Sequence, residues 1–382
     1  MAKQKAGKLG ASSLISKINK IAGRDIAHSL QDTNPTDVKQ WIPTGAKWLD
    51  AIIAKGKWAG IPVGKITEIA GLEATGKSFL AAQICANAQK MGILPVYFDS
   101  ESAIDSDFLV KSGVDISEDK YVYVQASSVE LVLEVMETLL KDCEEQLLFV
   151  WDSLAFTPSV SDVEGDFNPQ STVATKARIL AKAVSKLAIP IADKQATWLV
   201  LNQLKTNITR TPAEAMVTPY MTPGGKAMSY AYSLRIWLTG RKSKSSYVVA
   251  ENGYRIGSEV KAKLEKSRFG SQGRSCEFKI LWGTEDVGVQ DEESWFDALV
   301  NTKCLSGGGG GWYNFQFEEY NKRFQSSKWV EMLKEDEEFR TFVLKAIERE
   351  VIEKFDKQEG NASDFYDSEE GMIDEEGFTG EE

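Results

Sequence analysis

The chain is predicted to be an α/β protein with a mostly parallel central sheet. Three observations predict this. From Trp41 onward, short apolar and β-branched runs alternate with segments of helical spacing, as in strands joined by crossover helices. The strand-like runs are apolar without alternation, which suits strands covered on both faces. One strand-to-helix junction carries G-x-x-x-x-G-K-[ST] in full, as GLEATGKS at Gly71–Ser78.

The elements follow in chain order. Ser12–Ala22 places Leu14, Ile15, Ile18 and Ile21 on one helical face, with serines positioned to cap its start. Gly23–Gln40 is polar and loop-like, so this short helix needs the core or another subunit to pack on. Lys65–Ala70 is a β-branched strand, and Phe79–Gly92 is a helix ending in a glycine stop. Leu94–Glu101 is a strand ending in carboxylates. Glu130–Asp142 is helical. Gln146–Ser153 is a strand with Asp152 at its end. Thr172–Lys194 is a long helix with Leu180, Val184, Leu187 and Ile191 inward. Ala196–Gln203 and Ser233–Gly240 are further strands. Lys261–Ser267 and Cys276–Gly283 continue the sheet antiparallel. Gly307–Gly311 reads as a flexible connection or turn, and Trp329–Phe355 as helical.

The 382 residues are too many for one ordinary core and suit one large domain with smaller additions. The expected division is an N-terminal basic arm and oligomerisation helix (1–40), the core (41–288), a small C-terminal domain (289–357) and an acidic disordered tail (358–382). No apolar run approaches a membrane span, and MAKQKAGKLGASS lacks the apolar stretch of a secretory signal. A cytoplasm, of a bacterial cell or of a phage-infected host, is the expected compartment, without membrane partners. The four cysteines form no C-x-x-C pair and read as reduced thiols. The single histidine, His28, reads as a surface or packing residue, which argues against a His-dependent triad and a multi-histidine metal site. The formal charge of −11 is mostly the tail. Removing the ten carboxylates of 358–382 leaves about −1, whereas Met1–Arg24 carries six basic residues and no acidic one. That asymmetry fits polyanion binding and its modulation, or solvated disorder at both ends.

Gly71–Ser78 has the context of a P-loop: strand, glycine-rich loop, helix. Backbone N–H groups and a helix N-terminus hold phosphate oxygens without side-chain charge. The expected nucleotide cradle is Gly71, Leu72, Glu73, Ala74, Thr75, Gly76, Lys77, Ser78 and Phe79. Lys77 would reach the β- and γ-phosphates, and Ser78 would ligate Mg²⁺. ATP hydrolysis also needs an oriented metal, an aligned water and charge neutralisation. Asp152 is placed to orient the metal's water shell, Glu101 to polarise the attacking water, and Gln203 to sense the γ-phosphate. All three close strands, where ligands sit in open α/β sheets.

The order and wording of these motifs resemble the RecA recombinase family. The shared text is GLEATGKS, YFDSESAID (Tyr97–Asp105), FVWDSLAFTP (Phe149–Pro158), VLNQ (Val200–Gln203), PGGKAMSYAYSLRIWL (Pro223–Leu238) and EFKILWG (Glu277–Gly283). The likeness runs from about Val38 to Gly288, and a phage-encoded member of the UvsX type fits as readily as a bacterial one. The resemblance implies a RecA-like P-loop ATPase core with an N-terminal helix arm and a small C-terminal α/β module. Its implied cofactors are ATP and Mg²⁺. It implies single-stranded and double-stranded DNA as partners, self-association into a helical filament, and single-strand-binding and loader or mediator proteins as further candidates. It places Phe108 on the adenine ring and Asp105 near the base. It places Lys266 and Arg268 where two basic residues reach a neighbouring subunit's γ-phosphate; taken alone, KAKLEKSR also reads as a solvated hairpin. The family pattern has Lys at the second of these positions, and Arg keeps the charge.

Two segments after strand ends, Ser159–Gln170 and Lys205–Gly225, occupy the positions of the family's DNA loops. The second is long and aperiodic, as functional loops are. Its phosphate-contact candidates are Lys205, Arg210, Gly224, Gly225 and Lys226, with Arg178 on the long helix. The first carries Asp162, Glu164 and Asp166, which is acidic for a DNA contact. Ser185 stands where bacterial members have a second arginine. A ring-forming motor of the same superfamily and a binding-only filament switch are the competing readings.

Overall fold

A computed structural model describes residues 10–23, 25–30, 37–165, 174–207, 219–240, 247–283, 287–300 and 302–355. The acidic tail, the basic residues before Gly10, Arg24, Arg210 and Asp166 lie outside them. The chain divides into two compact units. The first is Met1–Ile42, Ile61–Ala70 and Ile84–Leu234; the second is Pro43–Gly60, Gly71–Gln83 and Arg235–Glu382.

In the first unit, strands run in the order β3 (Ile66–Gly71, leaving the unit at its last residue), β7 (Thr197–Gln203), β6 (Leu147–Asp152), β4 (Leu94–Asp99) and β5 (Val122–Gln125). The β4–β5, β4–β6 and β6–β7 pairs are parallel. Every residue of β6 is buried, which explains its unbroken apolar run. β1 (Trp41–Ile42) and β2 (Ile61–Pro62) form a separate antiparallel pair. Helix α1 (Ala11–Ala22) precedes them, capped by Gly10 rather than by its serines, and buries no residue.

The crossover helices are specified locally. Ser128 caps α5 (Val129–Asp142), its Oγ accepting from the Leu131 N–H at 3.2 Å. α7 (Thr175–Asp193) starts three residues later than its periodicity suggests. Val129, Val132, Met136 and Leu140 of α5 and Leu180, Ala183, Leu187 and Ile191 of α7 bury one core with Phe98, Phe149, Trp151 and Trp198. Trp151 and Trp198 stack at 6.2 Å with planes 10° apart. The same register sets the strand ends: Asp99 of β4 lies directly opposite Asp152 of β6.

In the second unit, β10 (Leu234–Thr239, entering at Arg235), β12 (Arg255–Ser267), β13 (Ser275–Leu281) and β14 (Gly288–Gln290) are consecutive neighbours, with β11 (Tyr247–Val249) beside β12. The β12–β13 ladder is antiparallel, as expected, with Lys261 opposite Glu277. A three-stranded antiparallel sheet, β15 (Leu305–Gly309), β16 (Trp312–Phe317) and β17 (Tyr320–Gln325), packs its aromatic face on helices. Phe339 meets Phe315 and Trp329 edge to face at 5.6 and 5.5 Å. Two readings change here. The glycine run is strand through Gly309 and turns only after it. Trp329–Phe355 is not one helix, because Asp336 interrupts it. The Asp336 carboxylate caps the helix at Glu337–Ile347, accepting from the Phe339 N–H at 2.9 Å.

Among the described residues of this unit, two carboxyls are buried. Asp50 accepts from the Thr44 N–H and hydroxyl at 2.9 and 2.7 Å, and Asp291 accepts from the Trp48 N–H at 2.6 Å. Burial pushes both up to about 7 from an ordinary 3.8. A carboxyl raised in the folded state binds protons the unfolded chain releases, so its stabilising contribution is lost as pH rises. Stability should therefore fall between about pH 4 and pH 7, by on the order of a few kcal/mol. The half-buried Glu137, lowered from 4.5 to about 2 by Lys141 and Lys186, acts the opposite way but below that window. Urea midpoints at pH 5 and pH 8 check this. Asp291→Asn should flatten the difference, and equal midpoints for the parent chain would refute it.

Candidate functional site

The phosphate loop lies in the second unit. Its chain turns through Ala74 at φ 56° and Gly76 at φ 80° and enters α3 (Lys77–Lys90) at once. Two glycines of the motif admit no side chain. A Cβ on Gly71 would stand 2.3 Å from Thr75 Oγ1, and one on Gly76 would stand 2.2 Å from Ile280 Cδ1. The loop is held from within: Thr75 Oγ1 donates to the Leu72 carbonyl at 2.9 Å, and the Leu72 N–H donates to the Leu238 carbonyl at 3.3 Å. The Lys77 ammonium folds over the loop's own carbonyls, at 2.9 Å from Leu72 O and 3.4 Å from Gly71 O. A turn through two left-handed residues, a helix start and a lysine already seated on the loop fit a nucleotide polyphosphate. Ser78 follows in the first helical turn. The Phe79 ring stands 6.3 Å from that of Trp282, which sequence reading passed over.

The strand-end carboxylates lie in the first unit. Asp152 is 8% exposed, and Tyr97 Oη donates to its Oδ2 at 2.6 Å. The next residue, Ser153, donates its hydroxyl to Glu101 Oε1 at 2.9 Å. Asp99, 2% exposed, accepts from the Glu101, Ala103 and Ile104 N–H groups at 2.9, 3.1 and 3.2 Å and from Tyr123 Oη at 3.0 Å. Thus Asp99 shapes the turn that presents Glu101, while Ser153 holds its side chain. Asp105 caps the short helix α4 (Ser106–Lys111), which places half-buried Phe108 one turn along.

Gln203 closes β7 and is half-buried. Its N–H donates to Asn202 Oδ1 at 3.0 Å. The fully buried Asn202 amide donates to Glu68 Oε1 of β3 at 3.0 Å and to the Pro223 carbonyl at 2.9 Å. The far end of the second loop is therefore tied to the strand leading into the phosphate loop. That loop closes at its root as a small ladder, Lys205 opposite Met221 and Thr206 opposite Tyr220. Gly224 (φ 113°) caps α8 (Gly225–Ala231), and Gly225 (φ 79°) would set a Cβ 3.2 Å from Ala177 Cβ, beside Arg178. Arg178, Lys205 and Lys226 are exposed. The interior, with Arg210 and Met216, lies outside the described residues.

The first loop begins as a helical turn, Val160–Glu164, with a capping box: Asp162 Oδ2 accepts from the Ser159 hydroxyl and N–H at 2.5 and 3.0 Å. Its acidic start thus has a local structural reason. Lys176, also missed from sequence, spans the β6 turn. Its ammonium donates to Leu154 O and Thr157 O at 2.5 and 2.6 Å, and burial lowers it to about 8. In the second unit, Lys266 and Arg268 sit at the end of β12 near Arg235 of β10. Burial first, then the two guanidinium groups, pull the Lys266 ammonium below its usual value.

Sequence comparisons show the family. Residues 10–287 match the family model for the RecA N-terminal domain. The chain is 31% identical over 319 residues to protein RecA of Thermus aquaticus, covering 83% of this chain and 86% of that protein. It is 29% identical over 341 residues to protein RecA of Caldanaerobacter subterraneus subsp. tengcongensis, covering 89% and 92%. A third relative, protein RecA of Ruminococcus albus, is 30% identical over 80% of this chain and 71% of its own length. The chain belongs to the RecA family and is a RecA-type recombinase.

Proposed function

We propose that the protein is an ATP-dependent DNA recombinase. It forms helical filaments on single-stranded DNA and catalyses homologous pairing and strand exchange with DNA-dependent ATP hydrolysis. The observation that carries the ATPase reading is the register of β4 and β6, which sets Asp99 and Asp152 side by side and links Glu101 to Ser153. The phosphate loop's backbone and Lys77 bind the triphosphate. Glu101 orients and deprotonates the attacking water. Gln203, next to Asn202, couples the γ-phosphate to the second loop. Lys266 and Arg268 neutralise charge on the phosphates of an adjacent subunit. Phe108 and Asp105 take the base. Ser78 and Asp152 would hold a Mg²⁺, which would shield the phosphate oxygens.

Arg178, Lys205, Arg210, Gly224, Gly225 and Lys226 contact DNA phosphates, which fixes register without reading sequence. Duplex DNA, single-strand-binding proteins and loader or mediator proteins are the further partners, and the cytoplasm is the compartment. Among the described residues, no helix is long and apolar enough to cross a membrane. The chain's working parts are the arm (1–40), the ATPase core (41–288), the C-terminal domain (289–357) and the acidic tail (358–382).

Negative-stain imaging with ATP and single-stranded DNA tests this: helical filaments support it, and closed rings favour a ring-forming motor. The filament contact is assigned to α1. Its Leu14, Ile18 and Ile21 are 45%, 44% and 80% exposed, a stripe that head-to-tail association would cover. Deleting Met1–Arg24 should leave a folded monomer that no longer assembles. Unchanged filaments would refute the assignment.

A further inference from the structure

We propose that Tyr97 is a positioning residue for the metal-holding carboxylate Asp152, and that Tyr123 serves Asp99, and through it the Glu101 turn, in the same way. The inference rests on the ATPase reading above.

Tyr97 and Tyr123 lie directly opposite each other on β4 and β5, and Asp99 lies opposite Asp152 on β4 and β6. Side chains two apart on a strand share a face, so both tyrosines and both carboxylates lie on one side of the sheet. Tyr97 is fully buried, its ring 6.2 Å from that of Tyr121. Its hydroxyl therefore cannot exchange Asp152 for water, and the 2.6 Å contact is that of a charge-assisted bond. A carboxylate that is 8% exposed and accepts this bond is restrained in its rotation. Partners of this kind orient metal-binding carboxylates, and their loss weakens metal binding about 10- to 100-fold. Tyr123 acts elsewhere. Its bond to Asp99 Oδ2 braces the same oxygen that accepts from Ala103 and Ile104, so it supports the water-orienting turn and not the metal.

The two tyrosines should separate in one experiment: Mg²⁺ titration of fluorescent ATP-analogue binding, with turnover measured in parallel. Tyr97→Phe should raise the Mg²⁺ midpoint about tenfold, with binding recovered at high Mg²⁺. Tyr123→Phe should leave the midpoint in place and lower kcat. In an Asp152→Ala background, Tyr97→Phe should add nothing. Melting curves confirm folding, and Tyr97→Leu provides a second variant without the hydroxyl. An unmoved midpoint in both Tyr97 variants, or an equal shift without Asp152, overturns the inference alone. A parent chain whose nucleotide binding ignores Mg²⁺ overturns the ATPase reading and this inference together.

Discussion

Glu101→Gln should leave nucleotide binding intact and reduce hydrolysis about 10²- to 10⁴-fold, the worth of a general base. The substitution keeps the side chain's shape and its place beside Ser153, whose hydroxyl donates to Oε1 at 2.9 Å. It removes only the charge that accepts a proton. The turn survives because it hangs on Asp99 through backbone N–H groups, not on the Glu101 side chain. Lys77→Ala should fail differently. It removes the ammonium seated on the phosphate loop, so binding and hydrolysis both fall. Nucleotide titrations and single-turnover rates on both variants distinguish the two patterns. Normal turnover in Glu101→Gln would assign the water to another residue. Normal binding in Lys77→Ala would separate the loop from the phosphates.

The phosphate loop was legible because its constraint is local. Gly71 and Gly76 are demanded by neighbours a Cβ would strike, and the motif is contiguous. Asp152 and Gln203 were legible as strand ends, since an apolar run that stops at a polar residue marks the sheet's edge; Glu101 is a correction, because β4 stops at Asp99 and Glu101 lies in the turn beyond it. The supports of all three were not legible. Tyr97 reads as apolar filler in a strand, and its partner is 55 residues away. The pairing exists only once β4 and β6 take their register. Asn202 was hidden beside Gln203 for the same reason, since Glu68 and Pro223 come from distant segments. Asp162 looked like a misplaced charge in a DNA loop because its partner, the Ser159 N–H, appears only when the turn forms. The glycine run misled by composition. Glycine weakens a strand, but β16 pairs with it and supplies the aromatic side chains.

The second large effect concerns Lys266, and it appears only in mixtures. Lys266→Ala should cost about 10³-fold or more in hydrolysis, as loss of a trans-acting cation does in other NTPases. Lys266, Arg268 and Arg235 form a like-charged cluster; burial first, and then repulsion from the two guanidinium groups, lowers Lys266. A polyanion relieves that repulsion, so the cluster is suited to meet phosphates. If those phosphates belong to a neighbouring subunit, two inactive variants complement each other. Glu101→Gln keeps the cluster and assembles with bound ATP but cannot activate water. Lys266→Ala keeps Glu101 but lacks the cation. In an equimolar filament, random neighbours in a head-to-tail contact make about a quarter of interfaces complete. Hydrolysis should therefore return to about a quarter of the parent rate, measured per subunit with saturating single-stranded DNA. Arg268→Lys should stay active alone, since the charge is kept. If the cluster acts within its own subunit, every site in the mixture lacks one part and the rate stays at the floor. A flat mixing curve, with filaments present by microscopy, would return Lys266 to the solvated hairpin its sequence also allows.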